Sequence, residues 1–232
     1  MFLGHYGVAL AAKRAAPSTS LGALTFAAQF LDELWPILLL IGLEQVKIVP
    51  GLTAASPLDF VYYPISHSLV MAITWGILIG ASYFALIRYA PGAWMMAALV
   101  VSHWFLDAPM HRPDLPLFGA NGPKVGWGLW NSVPATFAIE FGIFAIGVAI
   151  YLRGTRALDR VGSWGLWAYI VVLAVVYIAS SSAPPPSERA LAWSALGIWL
   201  FVPWAHWVDT HRMPVAVMDV IRKRQPSKRR GS

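Results

Sequence analysis

The sequence predicts an all-α fold, a polytopic membrane helix bundle of about six transmembrane helices plus a short N-terminal half-span. Three observations carry that prediction. The chain is 58% hydrophobic and 12% charged, with 12 tryptophans, and its mean hydropathy is +0.60, a balance that places it among membrane proteins. Its apolar runs reach the roughly 20 residues that cross a bilayer. Its positive charges are sorted by the loops those runs define.

The runs lie at about residues 21–43, 65–88, 92–108, 133–152, 163–181 and 189–208. The first carries Asp32-Glu33 and is interrupted by Pro36, which cannot donate to the carbonyl of Asp32 and so opens that turn. The second follows Pro64 and starts with His67-Ser68. The third opens at Pro91-Gly92 and closes on the polar stretch Ser102 to Asp114. Asn131-Ser132 and Pro134 mark the start of the fourth, and Pro184-Pro185-Pro186 separates the fifth from the sixth. Ahead of them Met1–Ala12 is apolar, but Lys13-Arg14 follow it instead of preceding it, which is the wrong order for a secretory signal. It reads as a half-span entering from the cytosolic edge.

With both ends of the bundle cytosolic, the inside segments hold 13 of the 17 Lys and Arg, leaving only Lys47, Arg112, Lys124 and Arg189 outside. That asymmetry satisfies the positive-inside rule and explains the net charge of +6. Residues 1–211 read as a single transmembrane domain and 212–232 as a basic cytosolic tail near anionic lipid. No aromatic interleaving accompanies the tail's charges, so nucleic acid is excluded as a partner and membrane lipids are expected. The absence of cysteine leaves histidine nitrogen and carboxylate oxygen as the only strong metal donors.

Those donors converge. His103 and Asp107 stand at i and i+4 and project from one face of the third span. Counting 1.5 Å per residue from the cytosolic edge puts His5 at about 12 Å, Asp32 at about 18 Å, His103 at about 17 Å, Asp107 at about 22 Å and Glu140 at about 20 Å. His67 falls outside this layer, at about 31 Å, where the start of a helix would offer N–H groups to an anion. Ionisable groups inside a bilayer are costly and mark function. His5, Asp32, His67, His103 and Asp107 are therefore the expected metal ligands. Pro109 is expected to break the third helix before His111, placing His111 on a loop over the site. His111 and Glu140 are the candidate catalytic groups, as proton shuttle, general base or extra ligand. Asp114 shares that loop and can pair with Arg112. His206, His211, Asp209 and Arg212 read as an interfacial structural group at the cytosolic end.

A mixed histidine and carboxylate set suits a divalent metal ion, Zn ahead of Mn or Fe, bound singly or as a pair. Such a site lowers the pKa of bound water and stabilises charge on a phosphoryl or carbonyl oxygen, which points to hydrolysis of a lipid-borne ester or phosphoester. The alternatives are a metal- or proton-coupled transporter and a non-catalytic membrane subunit.

Gly4-His5-Tyr6-Gly7, Leu31-Asp32-Glu33, His67-Ser68-Leu69 and Ser102-His103-Trp104-Phe105-Leu106-Asp107, in this order, resemble the membrane-bound metal-dependent hydrolases of bacterial inner membranes and archaea. The resemblance covers roughly residues 1–150. It implies an integral inner-membrane protein with a metal site, hydrolase activity on a lipid-like substrate, and a logic akin to zinc-dependent phospholipase C enzymes. Two departures stand out: Leu31-Asp32-Glu33-Leu34 replaces the Pro-Asp-x-Asp common in that family, and Tyr63-Pro64 stands where it often has a further His-Arg.

Overall fold

The computed structural model describes residues 1–119 and 121–224. It is a bundle of α-helices: α1 (Leu3–Ala12), α2 (Leu21–Leu40), α3 (Pro64–His67), α4 (Leu69–Ile87), α5 (Ala90–Met110), α6 (Val133–Gly154), α7 (Leu166–Ser180), α8 (Glu188–Ala195), α9 (Phe201–Thr210) and α10 (Val215–Arg224). Among the described residues five helical stretches are long and apolar enough to cross a membrane, Leu21–Leu40, Leu69–Ile87, Val133–Gly154, Val161–Ser180 and Glu188–Thr210. They support an integral-membrane location. The third expected span, α5, has 21 residues, but it falls outside this set of five because its polar C-terminal half lowers its hydropathy.

Small residues let the helices approach. On α4, Gly76 and Gly80 form a G-x-x-x-G face, and Cβ atoms there would stand 2.9 Å from the Ala97 carbonyl oxygen and 2.8 Å from that of Ala93 on α5. A Cβ on Gly7 of α1 would stand 2.6 Å from the Ile143 carbonyl oxygen on α6. In lipid, where apolar burial gives little drive between helices, such backbone contact is a main source of association. It brings α4 and α6 against the two helices that carry His103 and His5. Helix α1 is buried along most of its length, with Leu3 and Leu10 in a core with Phe144, Tyr169 and Phe201. The other core gathers Leu24, Leu31, Trp35, Met96, Leu99 and Trp104 around α2 and α5.

Serine caps start the helices: the side chains of Ser20, Ser68, Ser132 and Ser187 accept from Ala23, Met71, Ala135 and Ala190 N–H groups, as the first turn of a helix requires. Helix α5 corrects the expectation at Pro109. It runs through that proline to Met110, and the His111 N–H still bonds the Asp107 carbonyl at 3.0 Å. Proline forfeits only its own donation, so its cost falls on one bond of the last turn.

The loop end of α2 and α5 is covered by two antiparallel ribbons absent from the all-α expectation. The first pairs β1 (Gln45–Ile48) with β2 (Leu58–Tyr62), with Val46 opposite Phe60 and Lys47 opposite Asp59. The second pairs β3 (Leu115–Pro116) with β4 (Lys124–Val125). At the other end β5 (Thr155–Ala157) pairs with β6 (Arg212–Pro214). Of the segment assigned to the basic tail, 212–214 is thus strand and Val215–Arg224 helix, while 225–232 lie outside the described residues. Here the buried Lys13 Nζ meets Asp209 Oδ2 at 2.6 Å, and Asp209 also accepts from Leu21 N and Tyr151 Oη at 3.0 Å each. One carboxylate thereby ties the end of α1 to α2, α6 and α9.

Candidate metal centre

Four helices deliver donors to one point. Helix α5 presents His103 and Asp107 from successive turns, α2 presents Asp32, the single turn α3 ends in His67, and α1 presents His5. His103 Nε2 stands 3.2 Å from Asp107 Oδ2 and 3.7 Å from Asp32 Oδ1. His67 Nε2 stands 3.4 Å from Asp32 Oδ1 and 3.9 Å from Asp107 Oδ2. His5 Nε2 lies 3.2 Å from the other Asp107 oxygen, Oδ1, with its ring stacked on that of His103 at 3.6 Å. Two overlapping triads can hold a metal ion: His5, His103 and Asp107, and Asp32, His67 and His103.

The arrangement fits a metal. Ligand atoms bound at about 2.1 Å around a tetrahedral ion stand roughly 3.4 Å apart, and the four histidine–carboxylate separations that His67 and His103 make with Asp32 and Asp107 bracket that figure. His103 Nε2 is buried with no hydrogen-bond partner among the described residues, an omission that costs free energy unless the lone pair is used. Its other nitrogen, Nδ1, sits 2.8 Å from the Ala28 carbonyl oxygen. Only Nδ1–H can make that bond, so the neutral imidazole carries its proton there and its Nε2 lone pair faces Asp32 and Asp107, where an ion would take it. Because both triads need this one lone pair, the geometry accommodates one ion through His103.

His67 is oriented the same way by residues that the sequence reading did not single out. Its Nδ1 lies 2.7 Å from Ser66 Oγ, which lies 2.6 Å from Glu44 Oε2. Glu44 Oε1 accepts from the N–H groups of Ile65 and Ser66 at 2.8 Å each. The relay runs His67 Nδ1–H to Ser66 and Ser66 Oγ–H to Glu44, freeing His67 Nε2. Burial pushes the Glu44 carboxyl up from its ordinary value, against the pull of its bonds to Ser66. A lone acid in the short connection after α2 was the one available signal.

His67 also corrects the depth count. Counting back from Arg88 assumes an unbroken helix, but Ser68 is extended, with φ −77° and ψ 147°. That break separates α3 from α4 and turns His67 off the span's axis toward His103, with ring centroids 5.4 Å apart.

Glu140 holds the start of α1. Its Oε1 accepts from Phe2 N at 2.8 Å and its Oε2 from Gly4 N at 2.9 Å, so both oxygens are engaged with N–H groups that a helix N-terminus leaves open. The α-ammonium of Met1 lies 2.5 Å from Asp107 Oδ1, on the side of the carboxylate that faces His5. His111 stands outside both triads. Its Nδ1 bonds Asp114 Oδ1 at 2.9 Å and approaches Tyr63 Oη at 3.3 Å, with its ring packed against Trp130. Burial draws its imidazole pKa down, with Asp114 opposing. Of the cluster, the side chains of His5, His67, His103 and Asp107 are at most 3% exposed, whereas Asp32 keeps 22%. Asp32 therefore marks the accessible side.

No family model, curated protein or solved structure matches the chain, and the centre is read from its own geometry. What stands is a membrane-embedded protein with a buried His/Asp cluster capable of binding a divalent metal, consistent with a metal-dependent enzyme.

Proposed function

We propose that the protein is a membrane-embedded, metal-dependent hydrolase of lipid or membrane-associated esters and phosphoesters. The observation that carries this reading is that His67 Nε2 and His103 Nε2 each stand 3.2 to 3.9 Å from both Asp32 Oδ1 and Asp107 Oδ2. These four residues would hold the ion, with His5 as the fifth donor beside them. Asp32, Asp107 and Glu140 against a divalent ion and the Met1 ammonium leave the buried cluster neutral, the condition for keeping it out of water. Zn suits the nitrogen and oxygen donors, with Mn or Fe as substitutes. Bound there, the ion supplies an activated water and polarises an ester or phosphoryl oxygen.

The remaining roles belong to side chains. His103 and His67 are locked as Nε2 donors by Ala28 and by the Ser66–Glu44 pair. Glu140 positions α1 and with it His5. His111, neutral and donating from Nδ1 to Asp114, offers Nε2 to take up or return a proton. Partial exposure of Asp32 supplies the side from which substrate enters. Helix α5 is the third of six spans in this reading, α1 the half-span, and both ends of the bundle face the cytosol. The resemblance of its motif order to that of membrane-bound metal-dependent hydrolases supports the bacterial inner membrane as the location. The test is turnover of a panel of phospholipids and acyl glycerols by metal-loaded and metal-stripped protein in detergent. Metal-dependent ester cleavage is the expected result; its absence from every substrate, with the ion bound, would overturn the reading.

A further inference from the structure

Only four of the 17 basic residues are assigned to the outer face by charge order, and three of them, Lys47, Arg112 and Lys124, line a single cleft of about 520 Å³ between the two ribbons. Asp59, Phe60 and Asp114 are also in its wall. Scattered cations need no explanation, but three that come from three separate segments do.

Their pairing differs in a telling way. The Arg112 guanidinium is held between two carboxylates, bonding Asp59 Oδ1 through Nη2 and Asp114 Oδ2 through Nε at 3.0 Å. Lys47 and Lys124 are exposed, and their ammonium groups have no hydrogen bond or ion pair among the described residues. Lys47 stands in register opposite Asp59 across the ribbon, yet its ammonium makes no ion pair with it. With Asp59 and Asp114 answering the Arg112 charge, the two uncommitted ammonium groups are what make this concave surface net positive, and ammonium groups so placed recognise a phosphate. The cleft is linked to the metal centre through Tyr63. Asp114, in its wall, bonds His111 and is approached by Tyr63 Oη at 3.4 Å. The Tyr63 ring lies 5.5 Å from that of His67.

We propose that this cleft binds the phosphate of a phosphate mono- or diester, so that the substrate of the neighbouring centre is a phosphate-bearing molecule. The second half of the proposal rests on the hydrolase reading; the first does not. Arg112 serves as the fixed side of the cleft, its carboxylate partners holding its plane, and the two lysines close on the anion. Screening by salt weakens the capture, as for any exposed ionic contact.

The experiment uses the full chain in detergent, as wild type, as the double variant Lys47→Gln/Lys124→Gln and as Lys47→Arg/Lys124→Arg. Binding of dihexanoyl phosphatidic acid, sn-glycerol 3-phosphate and uncharged dihexanoylglycerol is measured by calorimetry, with metal content measured on the same preparations. The expected result is binding of phosphatidic acid, about tenfold or more weaker in the glutamine variant, retained in the arginine variant, and absent for dihexanoylglycerol. Glycerol phosphate binding as tightly as the lipid identifies a soluble phosphate ligand, and preference for the lipid identifies a headgroup. Both lysines are exposed, so the glutamine variant keeps its fold. Equal affinity in wild type and glutamine variant, or no binding by wild type, overturns the proposal. A wild type without metal that still shows lysine-dependent phosphate binding sinks the hydrolase reading and leaves the cleft standing.

Discussion

Replacing Glu140 by Gln separates an anchor from a general base. The buried carboxylate accepts two backbone N–H bonds, from Phe2 at 2.8 Å and Gly4 at 2.9 Å. Bonds to a charged acceptor contribute about 1.5–3 kcal/mol each. A glutamine oxygen keeps one of them, but its NH2 group then faces the other N–H, so a bond is lost and two donors confront one another. The expected cost is about 2–4 kcal/mol, which for a chain of this size lowers the melting temperature by roughly 5–15 °C. The assay is thermal unfolding in one detergent on metal-stripped protein, so that ion binding does not contribute. Glu140→Asp, which is shorter by one methylene, falls between the two. A Glu140→Gln protein melting within a degree of wild type would refute the anchor and return Glu140 to the role of a free base.

Ser66→Ala cuts the link between His67 and Glu44, and metal affinity, read by competition with a chelator, is expected to fall about tenfold to a hundredfold. Lys13→Met leaves Asp209 buried without its cation and is expected to cost about 3–5 kcal/mol; adding Asp209→Asn, whose amide oxygen can accept from Leu21 N–H while its NH2 donates to the Tyr151 hydroxyl oxygen, recovers most of that loss in thermal unfolding. Protons compete with the ion for the Nε2 atoms of His67 and His103, so acidification is expected to release metal and neutral to mildly alkaline pH to retain it, as followed by metal content after dialysis across the range.

The centre was legible in the sequence where a regular helix carries the information. The spacing of His103 and Asp107 placed them on one face, and a depth count brought His5, Asp32 and Glu140 to their level. The same count failed for His67, because a single extended residue, Ser68, ends one helical turn and begins another without a proline or glycine to announce it. What Glu140 does was also hidden, since a carboxylate that accepts from backbone N–H groups 136 and 138 residues away leaves no local pattern. The ribbons escaped for a related reason: four- and five-residue strands between long apolar runs carry too little periodicity to stand out. Glu44 and Ser66 act through those connections and were missed with them.

Metal per chain, measured by elemental analysis on wild type, His103→Ala and Asp107→Ala purified without chelator, tests the centre most directly. One equivalent of Zn, Mn or Fe in wild type and none in either variant is the expected result, because His103 Nε2 is common to both triads and Asp107 faces three histidines. Wild type and variants equally empty of metal would contradict the account and leave the cluster a buried polar network.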